Sequence, residues 1–181
     1  MHVLLRESPR SRGNVTRNQT PALLKGLLFG VDGLAMSPTH TRHRGRLYRY
    51  YVSQAVLKGA GLSEKADPTF VRRIPAAAIE TAVVGQVHAL LRQPEIIVGA
   101  WTAARASDPG LTEAKTREAL HQLEPLWEEL FPAEQARILR LLVEKVTVSS
   151  TGADIQFRVE GLASLMRDLG AANVQVLEAA E

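Results

Sequence analysis

The chain has 181 residues, 45% of them hydrophobic, and a formal net charge of +3 at pH 7. This apolar content is sufficient for one or two small domains with buried cores. There is no cysteine, which excludes a disulfide framework, a thiol nucleophile and a cysteine-ligated zinc site. The apolar start at residues 1–5 is too short for a signal peptide, and no apolar run approaches a membrane span. The sequence therefore predicts a soluble cytoplasmic protein with no membrane partner.

The charge is distributed unevenly along the chain. Up to Pro75 there are 13 Lys+Arg against 4 Asp+Glu, a net charge of +9, whereas the remainder has 9 against 15, a net charge of −6. A positive field of that size attracts polyanions. An anionic membrane would also respond to it, but the basic half contains no basic amphipathic helix of the interfacial type. Nucleic acid is therefore the favoured partner.

The first predicted elements are a basic arm and a small β module. Residues 6–21 contain little that can be buried, and residues 1–21 are predicted to form a flexible basic arm. Residues 22–58 predict the β module: an apolar run over residues 23–29, a hairpin turn at Asp32-Gly33, and a strand over residues 34–39. A tip at Arg44-Gly45 then leads into a second strand over residues 46–53.

Arginines and tyrosines alternate in the stretch 40–51 of this module. On a strand, side chains alternate between faces, so Arg46, Tyr48 and Tyr50 share one face, while Leu47, Arg49 and Tyr51 share the other. Guanidinium groups pair with phosphates, and aromatic rings pack against sugars and bases. The candidate DNA-binding residues are Arg42, His43, Arg44, Arg46, Tyr48, Arg49, Tyr50 and Lys58. The alternative is a solvated hairpin face whose tyrosines simply favour strands.

The rest of the chain is predicted to be mainly helical. A linker at residues 59–75 precedes an amphipathic helix over residues 76–93, with Ile79, Val83, Val87 and Leu90 on one face. Pro94 opens a second helix, and Thr112 is a candidate N-cap for a third. In the third helix Leu120, Leu123, Trp127 and Leu130 form a coiled-coil-like seam, which Pro125 is expected to kink or interrupt.

Another helix begins at Pro132, with Ile138, Leu141 and Leu142 on one face. A second β-hairpin is predicted over residues 145–159, a short helix over residues 161–169 and a frayed tail over residues 171–181. Together these elements predict an α+β fold. A small antiparallel β-ribbon module without zinc cysteines is followed by a helical region, residues 76–170, that contains the second hairpin.

Several of these segments resemble one protein family. The residues 23–29, then Gly30, Gly33 and Met36, then Tyr50-Tyr51, resemble the start of the zinc β-ribbon of large serine site-specific recombinases (the resolvase/invertase family). The segments 123–138, 141–146 and 159–162 are similar to the C-terminal region of the same proteins. The resemblance implies a DNA-binding and assembly module with a role in DNA recombination or integration.

Further partners depend on the helices between residues 112 and 145. The resemblance implies that they bridge subunits, through self-association or by binding a full-length recombinase; the alternative is that they form intramolecular core. Trp101 and Trp127 lie in apolar helical patterns and are expected to anchor a core. A rival function is that of a truncated interaction partner, which modulates an intact recombinase without strong DNA binding.

The chain departs from the family pattern at the metal site. Aligned on Gly30, Gly33 and Met36, the expected cysteine positions carry Phe29, Asp32 and Ser53. Zinc prefers four thiolate or imidazole ligands, and Asp32 with His40 and His43 lacks the required spacing. No metal or other cofactor is therefore expected. Packing of Phe29, Met36, Leu47 and Tyr51 is expected to replace the metal.

The second departure concerns catalysis. The family's chemistry needs an N-terminal domain with a nucleophilic serine and an arginine cluster, and this sequence begins about twenty residues before the ribbon. Ser37 and Ser53 have no visible base or oxyanion partner. We therefore expect no catalytic residue and no enzyme activity in this chain. An enzyme built on the His/Asp set near the first hairpin is the other rival class.

Overall fold

The computed structural model describes residues 22–59, 68–106, 108–158, 160–162 and 164–165. It has the α+β fold that the sequence predicts, while the predicted basic arm (1–21) and tail (171–181) lie outside the described residues. The strands are β1 Leu28–Gly30, β2 Met36–His43, β3 Arg46–Ser53, β4 Arg73–Pro75, β5 Val143–Ser149 and β6 Gly152–Phe157. The helices are α1 Gln54–Leu57, α2 Ala76–Leu91, α3 Pro94–Arg105, α4 Glu113–Trp127 and α5 Pro132–Leu142, and residues 160–162 and 164–165 are also helical.

Strands β2 and β3 form an antiparallel ribbon. Their register runs from Met36 opposite Ser53 to His43 opposite Arg46. The two residues at the tip both have positive φ, 48° at Arg44 and 79° at Gly45, as a two-residue hairpin turn of the favoured hand requires. Strand β3 has its predicted bounds. Strand β2 begins two residues later than predicted and continues to His43, because each residue up to the tip has a partner on β3.

The segment predicted as a linker contains a third strand. Strand β4 pairs antiparallel with β3, placing Pro75, Ile74 and Arg73 opposite Tyr50, Tyr51 and Val52. The backbone N–H of Ser53 also donates to the carbonyl of Arg72 at 3.0 Å. A three-residue strand that ends in proline carries almost no local signal, which is why the sequence predicted a loop here.

The second sheet has the order β1-β5-β6. The hairpin predicted over residues 145–159 is present as β5 and β6, with register running from Val143 opposite Phe157 to Ser149 opposite Gly152. Strand β1 pairs parallel with β5, with Leu28 opposite Val146. The prediction that the apolar run 23–29 forms the first ribbon hairpin is therefore wrong about its main partner. A single bridge between Phe29 and Ala35 remains from that hairpin.

The helices largely follow the predicted periodicity. Thr112 is the N-cap of α4, and its hydroxyl accepts a hydrogen bond from the Lys115 N–H at 3.2 Å. Pro125 does not begin a new helix; α4 continues through it and ends at Trp127. In α5 the fully buried positions are Leu139 and Leu142, so the buried face is rotated slightly from the predicted one.

One hydrophobic core joins both sheets to the helices. Within α4 the seam residues Leu120, Leu123 and Trp127 are buried inside this chain, together with Val83 and Val87 of α2. Trp127 also meets His88 edge to face, with ring centroids 5.4 Å apart. The seam is therefore covered by intramolecular packing, the second of the two alternatives that the sequence left open. Trp101 is half-buried, and its indole N–H donates to the Leu111 carbonyl at 2.9 Å.

The prediction that packing of four side chains replaces a zinc site is only partly correct. Met36 and Tyr51 are buried, and Phe29 is half-buried beneath the Lys145 ammonium, which lies 5.1 Å from its ring centroid. Leu47 is 43% exposed and does not pack into the core, because it lies near the ribbon tip, beyond the packed end of the sheet.

Among the described helices, none combines the length and apolar character that crossing a bilayer requires.

Candidate nucleic-acid interface

The ribbon has two chemically different faces. Residues that are directly opposite on antiparallel strands share a face. The outer face carries the pairs Thr39–Tyr50, Thr41–Tyr48 and His43–Arg46. The inner face carries Pro38–Tyr51, His40–Arg49 and Arg42–Leu47. Near β4 the inner face packs on the core, whereas near the tip both faces are exposed.

The inner face is fixed by a buried carboxylate. Glu80 lies on α2 with only 5% of its surface exposed. One of its oxygens, Oε1, accepts hydrogen bonds from the Tyr51 hydroxyl at 2.8 Å and from the Leu23 N–H at 3.1 Å. Its other oxygen, Oε2, lies 3.3 Å from a guanidinium nitrogen of Arg49. These bonds connect the segment at Leu23, strand β3 and helix α2.

Tyr51 completes this network. Its ring is fully buried, and its hydroxyl accepts a hydrogen bond from the Leu24 N–H at 3.0 Å. Burial, reinforced by the hydrogen bond to Glu80, raises the pKa of Tyr51 well above its ordinary value. The phenol therefore stays neutral at physiological pH, where it donates to Glu80.

The predicted binding residues are divided by this geometry. Arg42, His43, Arg44, Arg46 and Tyr48 are exposed around the tip, and Tyr50 is half-buried on the outer face. Arg49 is on the inner face, paired with Glu80. Lys58 is exposed but follows α1, at the end of β3 away from the tip. The structure thus brings together the tip and outer-face residues, and places Arg49 and Lys58 elsewhere.

The ribbon is free of negative side chains. No acidic residue occurs between Gly33 and Gly59, a stretch that contains four arginines and a lysine. Strand β4 adds Arg73 and no carboxylate. Since Glu80 neutralises Arg49, the remaining guanidinium groups produce a local positive field at the exposed end. This arrangement is suited to a polyanion.

Two important residues were absent from the predicted site. Arg73 lies in the segment predicted as a linker, and its guanidinium carbon lies 5.2 Å from the centroid of the Tyr50 ring. Glu80 had a usable signal, because it is a charged residue next to Ile79 on the apolar face of a predicted helix. Its partners could not be inferred, since they come from distant parts of the chain.

The three residues considered as substitute zinc ligands, Asp32, His40 and His43, are not arranged around one point. His40 is on the inner face of the ribbon and His43 on the outer face. Asp32 uses its carboxylate to accept a hydrogen bond from the Leu34 N–H at 3.0 Å. Across the described ranges, no three His, Cys, Asp or Glu residues are grouped so that they could hold a metal ion. The expectation of a metal-free ribbon remains a prediction.

Comparisons with known proteins give distant structural likenesses. No protein-family model matches this chain, and no curated protein matches it. A solved structure concerned with the sequence requirements of the Listeria innocua prophage attP site is 14% identical to this chain. The match covers 78% of this chain and 45% of that chain, with a TM-score of 0.43. A crystal structure of an LSR–DNA complex (LSR, large serine recombinase) is 21% identical, with 79% and 53% covered and a TM-score of 0.42. This chain thus spans about half the length of either solved chain, and at these values the likeness by itself assigns no function.

Proposed function

We propose that this chain binds DNA through the exposed end of the β2–β3 ribbon and acts as a non-catalytic module in site-specific recombination. The observation that carries the proposal is the ribbon itself. Every residue from Thr41 to Tyr48 is exposed, three of these eight are arginines, and no carboxylate lies among them. A purely structural hairpin has no need for that concentration of cations.

The dimensions of the ribbon fit duplex DNA. The major groove of B-DNA is about 12 Å wide and admits a two-stranded β-ribbon. Arginines at the tip and along one strand then reach phosphates on the groove edges, where bidentate pairing sets orientation. The Tyr48 ring, exposed on the outer face beside Arg46, provides a flat surface for sugars. The proposal therefore favours duplex DNA as the ligand.

The link to recombination comes from the sequence motifs shared with large serine recombinases. The absence of catalysis is part of the same proposal. The Ser53 side chain is buried and caps α1, since its hydroxyl accepts a hydrogen bond from the Ala55 N–H at 3.1 Å. A nucleophile must instead reach the phosphate with a base beside it. Incubation with supercoiled plasmid tests this point, and relaxation or nicking by this chain would contradict it.

The DNA-binding proposal is tested by salt dependence. Each phosphate neutralised on duplex DNA contributes about −0.9 to the slope of log K against log salt concentration. Three to five contacts at the ribbon predict a slope between about −3 and −5. Fluorescence anisotropy with a labelled mixed-sequence duplex, from low to physiological salt, measures it. No binding at low salt, or binding that ignores salt, would contradict the proposal.

Arg46→Ala is the first variant to compare with the wild type. We expect it to reduce the magnitude of the slope by about 0.9, because the exposed Arg46 guanidinium loses its phosphate. Arg140→Ala is the matched control, since Arg140 is an exposed arginine on α5 rather than on the ribbon. That variant should retain the wild-type slope. Equal losses in both variants would indicate non-specific attraction by net charge.

One observation favours a second candidate function, binding to a protein partner such as an intact recombinase. Phe131, between α4 and α5, is 74% exposed, and Leu126 on α4 is 41% exposed. Contiguous apolar patches on a protein surface mark partner sites, and Leu126 and Phe131 lie five positions apart in the sequence. If Phe131→Ala abolishes binding to a recombinase while DNA binding by the chain is weak, this alternative replaces the first.

A further inference from the structure

Strand β4 extends the outer face of the ribbon. Arg73 is opposite Val52, which is two residues beyond Tyr50 on β3, so both belong to the outer face. Arg73 is exposed, and its guanidinium carbon lies 5.2 Å from the Tyr50 ring centroid. Tyr50 is also opposite Thr39 on β2. The outer face therefore continues without interruption from Arg46 through Tyr48 and Tyr50 to Arg73.

Arg49 is adjacent to Tyr50 in the sequence, but its side chain belongs to the inner face of the ribbon. Its guanidinium lies 3.3 Å from the Glu80 carboxylate, and Arg49 has 30% of its side chain exposed. If Arg49 moved away to bind DNA, the Glu80 carboxylate, which is only 5% exposed, would lose its cation. Leaving a buried charge unpaired costs free energy of folding. Arg73 has no such competitor: within the described ranges no carboxylate pairs with it, and its guanidinium lies over the Tyr50 ring.

We propose that Arg73, held on Tyr50, is a phosphate-binding residue of this surface, and that Arg49 is a positioning residue that does not contact DNA. This inference rests on the proposed DNA-binding function and refines it. The bound surface becomes the outer face plus the tip, with Arg46 and Arg73 as the cations of the outer face. Glu80 holds Arg49 and Tyr51 on the inner side and thereby sets the orientation of β3.

The stacked arrangement of Arg73 suits phosphate recognition. A guanidinium group over an aromatic ring leaves its N–H edge available for two parallel hydrogen bonds to phosphate oxygens. The ring also limits the rotamers of the arginine, so less side-chain entropy is lost on binding. Lysine has neither the flat stacking surface nor the bidentate edge.

Five variants of the full chain separate the two arginines, each checked for folding by circular dichroism. Anisotropy titrations with one duplex at several salt concentrations give slope and affinity. Arg73→Ala should reduce the magnitude of the slope by about 0.9 and weaken binding roughly tenfold at 0.1 M salt. Arg73→Lys should retain the slope and weaken binding a few-fold. Tyr50→Leu should do the same, since it removes the ring but no charge.

Arg72→Ala is the matched control. Arg72 is also exposed, but it precedes Arg73 by one residue, and its backbone carbonyl accepts a hydrogen bond from the Ser53 N–H. We expect its slope to equal that of the wild type. Arg49→Gln should likewise keep the wild-type slope while lowering the unfolding midpoint, because glutamine can still donate to Glu80 but carries no charge. If Arg49→Gln unfolds the chain, the double variant Arg49→Gln/Glu80→Gln removes both charges of the pair, and it should fold and keep the wild-type slope.

The outcomes distinguish this inference from the proposed function. If the wild type shows the expected slope and Arg46→Ala reduces it, but Arg73→Ala matches Arg72→Ala, the role of Arg73 is wrong and DNA binding stands. A reduced slope in a folded Arg49→Gln variant would overturn the positioning role of Arg49. If the wild type does not bind duplex at low salt, the proposed function fails first.

Discussion

Glu80 is the residue on which the geometry of the proposed interface depends most. Charged side chains are almost never fully buried unless they are paired, and Glu80 has three partners, Leu23, Arg49 and Tyr51. It occupies a buried position of α2 beside Ile79, one turn before Val83. The apolar spacing of this helix was predictable from the sequence. A carboxylate on that face signalled a buried polar network, although only the tertiary fold shows which groups complete it.

The Tyr51 hydroxyl should contribute measurably to stability. Tyr51→Phe keeps the buried ring but removes the donor to Glu80 and the acceptor for the Leu24 N–H. Leaving such buried groups without partners costs about 1–3 kcal/mol. Urea unfolding at neutral pH, followed by circular dichroism, measures this loss. Tyr48→Phe, at an exposed position, is the control and should change the free energy of unfolding by less than about 0.5 kcal/mol.

The same hydroxyl predicts a dependence of stability on alkaline pH. Because the pKa of Tyr51 is raised in the folded state above its ordinary value of 10.0, the folded chain holds this proton more tightly than the unfolded chain. Its contribution to stability is complete below about pH 10 and decreases as the pH rises above that value. Unfolding free energies measured from pH 8 to 11 should decrease more steeply for the wild type than for Tyr51→Phe. Parallel profiles would show that this phenol is not perturbed.

Arg46 and Arg49 show what strand alternation can and cannot predict. The sequence correctly separated them onto opposite faces of β3. It could not show that α2 packs against one face only, because that contact joins residues about thirty positions apart. Both arginines were therefore predicted to bind DNA, whereas the structure gives Arg49 a buried anionic partner.

At the scale of elements, local signals gave the long helices and the β2–β3 and β5–β6 hairpins, but they assigned β1 the wrong main partner and missed β4. Strand β1 has three residues, and its ladder partner β5 lies near the other end of the described chain. Strand β4 is equally short and ends in proline. In both cases the strand exists because another strand offers free N–H and C=O groups, a property that no window of sequence contains.

The contact between the last helical segment and α5 predicts an unusual sensitivity at Gly161. A Cβ atom added there would lie 1.8 Å from the Leu141 carbonyl oxygen, so backbone must move to accept it. Gly161→Ala should therefore destabilise the chain by about 1–3 kcal/mol, as overpacking does. Differential scanning calorimetry or urea unfolding would detect the loss.

Gly85→Ala is the control for this substitution. Gly85 is exposed within α2, and a Cβ at that position meets nothing within 4 Å. Alanine should stabilise this helix by about 0.5–1 kcal/mol, because glycine is the poorer helix former. The two Gly→Ala substitutions are thus expected to have opposite signs. A neutral or stabilising Gly161→Ala would show that Leu141 and Gly161 do not approach so closely.

For the whole molecule, the uneven charge of the sequence acquires a spatial meaning. The acid-free ribbon projects from a core that both sheets and the helices share. The carboxylates of α4 are partly used within the helical layer, as in the ion pairs Arg117–Glu113 and Arg92–Glu124. The ribbon therefore carries positive side chains without carboxylates, whereas the helices carry carboxylates that are partly paired with arginines. The sequence predicted this polarity, but it could not show that one continuous core holds the basic module and the helices together.

The α4 seam supplies the last prediction, on the state of the whole molecule in solution. Leu123 is 1% exposed within a single chain, so we expect a monomer at micromolar concentration. Leu123→Glu should unfold the chain, because it would bury a carboxylate with no cation built to receive it. Leu126→Glu is the control three residues further along α4, where the side chain is 41% exposed, and this variant should remain folded. Sedimentation velocity and circular dichroism of all three proteins measure both properties. A wild-type dimer that Leu123→Glu converts into a folded monomer would instead identify the seam as an interface between chains.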